Sequence, residues 1–162
     1  MGLVLLKIEL ILGLGIWLLI AALNNLFDPK TNHHLISGMM KMTAIEKEVQ
    51  PLGKGLLWRA FKKTNCVYTF LRVIACYQFL CALFLIISVA SFCYGTFFHL
   101  QSVAFDLELI NTALVFFNAI WLFFLCGGLW FGYWIKFFPA QTTHFILLLT
   151  GITTAILINI HI

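Results

Sequence analysis

The chain has 162 residues, the usual length of one domain, and 62% of them are hydrophobic while 10% are charged. Soluble domains contain roughly 45–50% apolar and 25% charged residues. This composition, with a mean hydropathy of +1.01, therefore excludes a water-soluble fold and predicts a membrane protein. A net charge of +4 would ordinarily suggest nucleic acid as a partner. The charges lie mainly in one loop, so we expect the lipid bilayer as the partner and no nucleic acid.

The first predicted element is a membrane helix over roughly residues 3–26. A membrane-spanning helix needs about 20 mainly apolar residues, and the apolar run from Leu3 to Leu26 satisfies this requirement. The hydrophobic region of a secretory signal has about 7–15 residues. The longer run therefore predicts a retained membrane helix rather than a cleaved signal.

Residues 27–65 form the one sizeable polar region, and we predict a basic, partly helical loop there. Leu35, Met39, Met42 and Ile45 recur within it at helical spacing, which indicates helices that either lie in the membrane interface or cap the cytoplasmic end of the bundle. The loop carries three acidic residues and seven basic ones, namely Lys30, Lys41, Lys47, Lys54, Arg59, Lys62 and Lys63.

The distribution of basic residues predicts the orientation of the chain in the membrane. The loop between the second and third helices carries no Lys or Arg, whereas the turn between the third and fourth carries Lys136. Cytoplasmic loops of membrane proteins are enriched in Lys and Arg. The loop 27–65 and the turn at Lys136 are therefore predicted to be cytoplasmic, and both termini periplasmic.

Three further apolar runs predict membrane helices at roughly residues 66–94, 107–134 and 140–162. Pro139 separates the last two, because proline removes a backbone donor from a helix. The third run is overlong, and its aromatic end from Trp130 to Trp134 is typical of the headgroup region, so the membrane core should end near residue 130. Continuous apolar runs without a period of two favour an all-α membrane protein with four transmembrane helices in a bundle.

Polar residues inside the predicted spans are the candidate functional residues, because a charged or polar group is costly to bury in lipid. They are Glu9, Arg72, Gln78, Glu108, Asn111, Asn118 and His144. Glu108, Asn111 and Asn118 are spaced three and seven apart, which places them on one face of the third helix. We predict that this face points into the bundle, because lipid offers an amide no hydrogen-bond partner.

Four of the candidates also have a purely structural interpretation. Arg72 can extend its guanidinium to the headgroups while its stem stays in hydrocarbon. Glu9 can pair with Lys7 or with a neighbouring helix. The two asparagines can form hydrogen bonds between helices.

The sequence contains no pattern for catalysis or metal binding. It has no glycine-rich phosphate loop, no nucleophile elbow and no His-Glu-x-x-His motif. Four-helix membrane bundles can hold haem between axial histidines. None of the histidines is predicted at mid-membrane, and no two share a depth on facing helices (His33, His34, His99, His144 and His161). We expect a protein that is not an enzyme, with no catalytic residue, no metal and no cofactor.

Several short motifs together resemble a bacterial family of small integral membrane proteins catalogued as domain of unknown function 2165. The matching residues, in chain order, are Asn24-Asn25, Asn32, Met42, Trp58-Arg59-Ala60, Gly127-Gly128, Trp130-Phe131, Trp134 and Gln141. The resemblance covers most of the chain. It implies four helices in a bacterial inner membrane and, because the family has no assigned activity, no function.

The departures from the family pattern each remove an ionisable group. The pattern has a histidine at the position of Gly38, an aspartate at Thr43, and glutamates at Gln78 and Leu129. Acid–base or metal chemistry that the family could perform at those positions is therefore not expected of this chain.

The leading functional hypothesis is an accessory or scaffold subunit of a larger membrane complex. Gly13, Gly15, Gly127 and Gly128 are predicted to offer close-packing surfaces to other helices. The alternative is a small transporter or channel that uses Glu9, Asn111 and Asn118. A haem-binding or quinone-binding electron-transfer subunit is the third hypothesis.

Overall fold

A computed structural model of the chain describes residues 1–63, 66–98 and 103–160, and over these ranges it is helical with no strand. Four helices are long and apolar enough to cross a membrane, which confirms the predicted all-α fold class. The helices are α1 (Gly2–Phe27), α2 (Pro29–Met40), α3 (Thr43–Glu46), a 3₁₀ helix (Lys54–Arg59), α4 (Val67–Phe98), α5 (Val103–Trp130), α6 (Tyr133–Lys136) and α7 (Phe138–Asn159).

The third and fourth membrane helices have bounds that differ from the sequence prediction. The helix predicted at 107–134 begins earlier, at Val103, and ends at Trp130. It ends there because Gly132 adopts a left-handed conformation with φ of 64°, which reverses the chain into the short α6. The predicted end of α7 at residue 162, with His161, lies outside the described ranges, as does His99.

The four membrane helices form a ring in which α1 packs on α4, α4 on α5 and α5 on α7, while the contact between α1 and α7 is slighter. The interior of the ring consists of fully buried apolar side chains such as Leu18, Leu85 and Phe117. Lipid tails are as apolar as these side chains, so close packing rather than escape from solvent selects the inward faces.

The glycines predicted to offer close-packing surfaces to other helices differ in what they meet within the chain. A Cβ on Gly15 would lie 3.1 Å from Ile86, and one on Gly128 would overlap the Tyr133 ring. A Cβ on Gly13 or Gly127 would meet no atom within 4 Å. Gly15 therefore packs closely against the neighbouring helix α4, as predicted, and the space beside Gly128 is filled by Tyr133 of α6.

The loop between α1 and α4 forms a folded cap on one end of the bundle, which we call the basic end. Asp28 begins α2 by accepting hydrogen bonds from the Thr31 amide and hydroxyl, and these bonds lower the pKa of its carboxyl. The amide of Phe61 donates a hydrogen bond of 2.8 Å to the carbonyl of Met40, which connects the later part of the loop to the end of α2. The basic, partly helical loop predicted between the first two membrane helices is confirmed.

An ion pair connects this cap to the turn between α5 and α7. Lys136 at the end of α6 pairs with Glu48, which follows α3. Gly53 and Gly132, both in the left-handed region, lie against the same Ile45 side chain. The basic end is therefore one packed unit built from both of its connecting segments.

Candidate functional site

A cavity of about 630 Å³ opens between the helices at the basic end of the bundle. Its walls come from α1, α4, α5, α6 and the start of α7, and α2 lines it on the side of the cap. Known ligand pockets have volumes of about 300–1,000 Å³, so the space is large enough for a small molecule. The residues on which its chemistry depends are Asn25, Asn32, Gln78, Trp121, Tyr133 and His144.

One wall of the cavity is a cluster of rings around His144, which we call the aromatic wall (Trp121, Phe124, Tyr133 and His144). The His144 ring centroid lies 5.8 Å from that of Trp121, 4.9 Å from Phe124 and 6.2 Å from Tyr133. The rings of Trp121 and Tyr133 are within 28° and 22° of parallel to the imidazole. The wall is therefore a set of stacked flat surfaces, the shape that suits a planar ligand.

The aromatic wall contains three buried polar atoms without a hydrogen-bond partner among the described residues. These atoms are Trp121 Nε1, the Tyr133 hydroxyl oxygen and His144 Nδ1. Trp121 and Tyr133 are 2% and 1% exposed, so water from the surface does not satisfy them. A buried polar group left unpaired costs about 1–3 kcal/mol. Three such atoms in one wall favour a site that is completed by a bound molecule.

The position of Tyr133 follows from the glycines beside it. Gly132 turns the chain back, and Gly128 has no side chain in the space that the Tyr133 ring occupies. Burial, with a smaller contribution from Cys126, raises the pKa of the Tyr133 hydroxyl, which therefore stays protonated at neutral pH. The Tyr133 hydroxyl and the Trp121 indole N–H are therefore two potential hydrogen-bond donors in this wall.

A second wall carries a chain of amides. Asn25 Nδ2 donates to Gln78 Oε1 at 2.7 Å, and Asn32 Nδ2 donates to Asn25 Oδ1. Gln78 is buried near the middle of α4. Each amide nitrogen carries two hydrogens, so the chain retains donors beyond those used internally. The amide of Gln78 carries no charge, so this wall is neutral.

The cavity offers no unpaired charge. Lys136 is the one charged residue in its described lining, and this lysine is paired with Glu48. His144 is the one histidine in that lining. Among the residues described, no three His, Cys, Asp or Glu side chains lie together as metal ligands would. A neutral molecule fits these walls better than an anion or a cation.

The structure brings two of the seven predicted candidates, Gln78 and His144, to the cavity. Asn111 instead pairs with Asn159 on α7, with mutual amide hydrogen bonds of 3.0 and 2.8 Å. The Asn118 Oδ1 atom is buried but has no partner among the described residues, so the expected interhelical bond is not formed by this oxygen. Arg72 is exposed on α4 at the basic end.

The prediction that Glu108 points into the bundle is wrong, because its side chain is exposed. The inward face of α5 at this level carries Asp106 and Ile110 instead. Helix α5 packs against both α4 and α7, and Asn111 lies on the side that meets α7. The spacing of polar residues along α5 does not show which part of its surface meets each neighbour. The inward face of the third membrane helix therefore does not include Glu108.

Glu9 is also exposed, and the suggested pair with Lys7 is not formed. Lys7 Nζ instead donates to the carbonyl oxygens of Ile158 and Ile160, at 2.8 and 3.1 Å. These carbonyls lie at the end of α7, where a helix leaves acceptors unsatisfied. Lys7 therefore connects the first membrane helix to the fourth.

Three residues at buried positions, Trp121, Tyr133 and Asp106, are not among the candidates predicted from the sequence. Asp106 is 1% exposed and accepts a hydrogen bond of 2.7 Å from Ser91. Asp106 lies just before the predicted span of residues 107–134, because α5 begins at Val103, four residues before the predicted start. The three-residue spacing from Asn118 to Trp121 could have indicated that Trp121 faces inward, whereas no pattern in the sequence indicates the reversal that buries Tyr133.

The family model described as predicted small integral membrane protein matches residues 3–161 of this chain. No curated protein and no solved structure matches it. The described architecture of four membrane helices agrees with that family description.

Proposed function

Because the chain belongs to the family of predicted small integral membrane proteins named domain of unknown function 2165, we propose that it is a non-enzymatic, ligand-binding accessory subunit of the bacterial inner membrane. The observation that carries this proposal is the cavity with three unpartnered polar atoms in its aromatic wall. Basic residues concentrate at the end of the bundle that holds the cavity. The cavity would then open in the cytoplasmic half of the membrane, with both termini periplasmic.

The chemistry of the walls defines the class of ligand. Trp121 and Tyr133 supply donors, so the ligand should carry hydrogen-bond acceptors such as carbonyl oxygens. The stacked rings favour a flat head, and the apolar remainder of the lining favours a hydrocarbon tail. A neutral amphiphile with a planar, carbonyl-bearing head, of which a quinone is an example, satisfies all of these requirements.

The absence of an ionised acid–base pair from the described lining supports binding rather than catalysis. A protein that holds a molecule without changing it needs a partner that supplies or uses that molecule. We therefore propose an accessory role beside other membrane subunits. Transport receives less support, because Glu9 is exposed and does not extend the Asn111–Asn159 pair into a path.

The test of ligand binding is a titration of the purified protein in lipid nanodiscs with a benzoquinone that carries a ten-carbon tail. We expect saturable binding at one site, and Trp121→Phe should weaken it about 3–10-fold, because a neutral hydrogen bond contributes about 0.5–1.5 kcal/mol. Trp134→Phe is the matched control, since Trp134 is exposed and does not line the cavity. Unsaturable partitioning, or equal affinity loss in both variants, would contradict the proposal.

The accessory role is tested by purification from the native host in mild detergent. Mass spectrometry and an absorbance spectrum are recorded on the same sample. We expect a second membrane protein in a fixed ratio to the chain and no haem absorbance. Recovery of the chain alone would contradict the accessory role, and a Soret band would favour the haem-binding hypothesis instead.

A further inference from the structure

A second site lies outside the cavity, where the 3₁₀ helix meets the end of α5. The Arg59 guanidinium carbon is 5.1 Å from the ring centroid of Trp58 and 5.0 Å from that of Trp130. The two indoles are 5.9 Å apart and 77° from parallel. The three groups therefore form a nearly equilateral triangle, which we call the Arg59 corner. Two aromatic contacts orient the guanidinium.

The charge of Arg59 is not neutralised by the part of the chain that the structure describes. The ion pair found there joins Lys136 to Glu48, and Arg59 makes none. Its Nε atom is buried and has no hydrogen-bond partner among those residues. A guanidinium carries five N–H donors, so the corner presents an oriented cation whose hydrogen-bonding capacity is unused.

The segment around Arg59 is strongly basic. Residues 54–63 contain four basic side chains and no acidic one, so the segment contributes a charge of +4. Lys54, Lys62 and Lys63 are all exposed. An anion that approaches Arg59 is therefore attracted by the whole segment, and no carboxylate from these ten residues competes with it.

The surroundings of the corner are those of a membrane surface. Trp58 and Trp130 are 70% and 50% exposed, and Trp130 is the last residue of a membrane-spanning helix. Tryptophan is enriched at the headgroup level because one part of its ring is apolar and its N–H is polar. An anion bound here would lie directly beside the hydrocarbon of the membrane. A phospholipid carries hydrocarbon tails that can occupy this region, whereas soluble phosphate carries none.

We infer that the Arg59 corner binds the phosphate of an anionic phospholipid, with the lipid tail along the exposed indole of Trp130. The planar guanidinium fork matches two phosphate oxygens at once, which a lysine ammonium does not. This site is separate from the cavity, and lipid binding at it does not depend on whether the cavity binds the ligand proposed above. It would attach the cap at the basic end to the lipid headgroups.

The experiment is native mass spectrometry of the full chain with phosphatidylglycerol and phosphatidylcholine of identical acyl chains. The wild type should retain phosphatidylglycerol preferentially. Arg59→Lys keeps the charge but removes the fork, and it should reduce that preference about tenfold, because a lysine ammonium cannot form the two parallel hydrogen bonds that a guanidinium forms with phosphate. Trp58→Leu, at an exposed position, should reduce the preference by a smaller factor.

The matched control is Lys47→Gln, which removes one positive charge from the same cap at an exposed position outside residues 54–63. It should leave the preference within about twofold of the wild type, since surface charges act weakly when they are solvated. A thermal melt of each variant separates loss of lipid from loss of fold. An unchanged preference in Arg59→Lys, an equal loss in Lys47→Gln, or displacement of the lipid by inorganic phosphate would each overturn the inference.

Discussion

Tyr133 shows how strongly one side chain in this protein depends on the residues around it. Its ring lies over Gly128, its hydroxyl is buried without a partner, and it stacks near His144. The aromatic wall exists because position 128 has no side chain. The chemistry of the cavity is therefore determined by a glycine that does not line it.

Gly128→Ala should displace Tyr133, because the new methyl group would overlap the tyrosine ring. Such overpacking costs about 1–3 kcal/mol, so the melting temperature should fall and ligand binding in the cavity should weaken. The neighbouring variant Gly127→Ala is the control, because a Cβ there meets nothing within 4 Å. It should be neutral or slightly stabilising, since alanine favours a helix interior by up to about 1 kcal/mol. Equal melting temperatures for the two variants would contradict this account of Tyr133.

Two asparagines on α5 that look alike in the sequence should respond differently to the same substitution. Asn111→Leu removes two mutual hydrogen bonds with Asn159 and should destabilise the bundle by about 1 kcal/mol, since such bonds contribute about 0.6 kcal/mol each in membranes. Asn118→Leu removes a buried oxygen without a partner and should be neutral or stabilising. Thermal unfolding in detergent measures both. A larger loss for Asn118→Leu would show that its oxygen is bonded in the membrane.

Hydrophobic runs predicted the membrane elements well, but they did not predict where polar side chains would point. Gln78 and His144 reached the cavity, whereas Glu9 and Glu108 are exposed. An apolar run predicts that a helix spans the membrane. It does not predict which side of that helix contacts each of its two neighbouring helices. The reversal at Gly132 is a local backbone event, and aromatic residues on both sides of it continue the membrane-like pattern.

At the level of elements, Lys7 is the polar connection between α1 and α7. Lys7→Met keeps the length of the side chain but removes its donors to Ile158 and Ile160. We expect a destabilisation of about 1 kcal/mol, the scale of a cation at the end of a helix. Faster hydrogen exchange in the last turns of α7 should accompany the lower melting temperature.

The control for Lys7→Met is Glu9→Gln on the same helix. Glu9 is exposed and makes no ion pair within the described ranges, so this variant should unfold like the wild type. If Glu9→Gln lowers the melting temperature as much as Lys7→Met, the charges at this end act together and the connection to α7 is not specific to Lys7.

For the whole molecule, the charge distribution predicts one orientation in the membrane. Seven basic residues in loop 27–65 and Lys136 lie on the same end of the bundle, and residues 99–102 contain no Lys or Arg. A reporter that is active only in the periplasm should therefore function after Ile162 and fail after Gln50. A cytoplasmic reporter at the same two positions should give the opposite result. Activity of the periplasmic reporter only at Gln50 would reverse the orientation and place the cavity in the outer leaflet.

The ring of helices also has a consequence for the order in which the protein is made. Three of its contacts join membrane helices that follow one another along the chain, and these can form as soon as each pair has been inserted. The fourth contact is held by Lys7, whose hydrogen bonds span 151 and 153 residues. Until ribosomal synthesis of α7 is finished, the flank of α1 that faces this seam stays exposed to lipid and to the translocon. The cavity between these helices is therefore completed only after α7 has been synthesised.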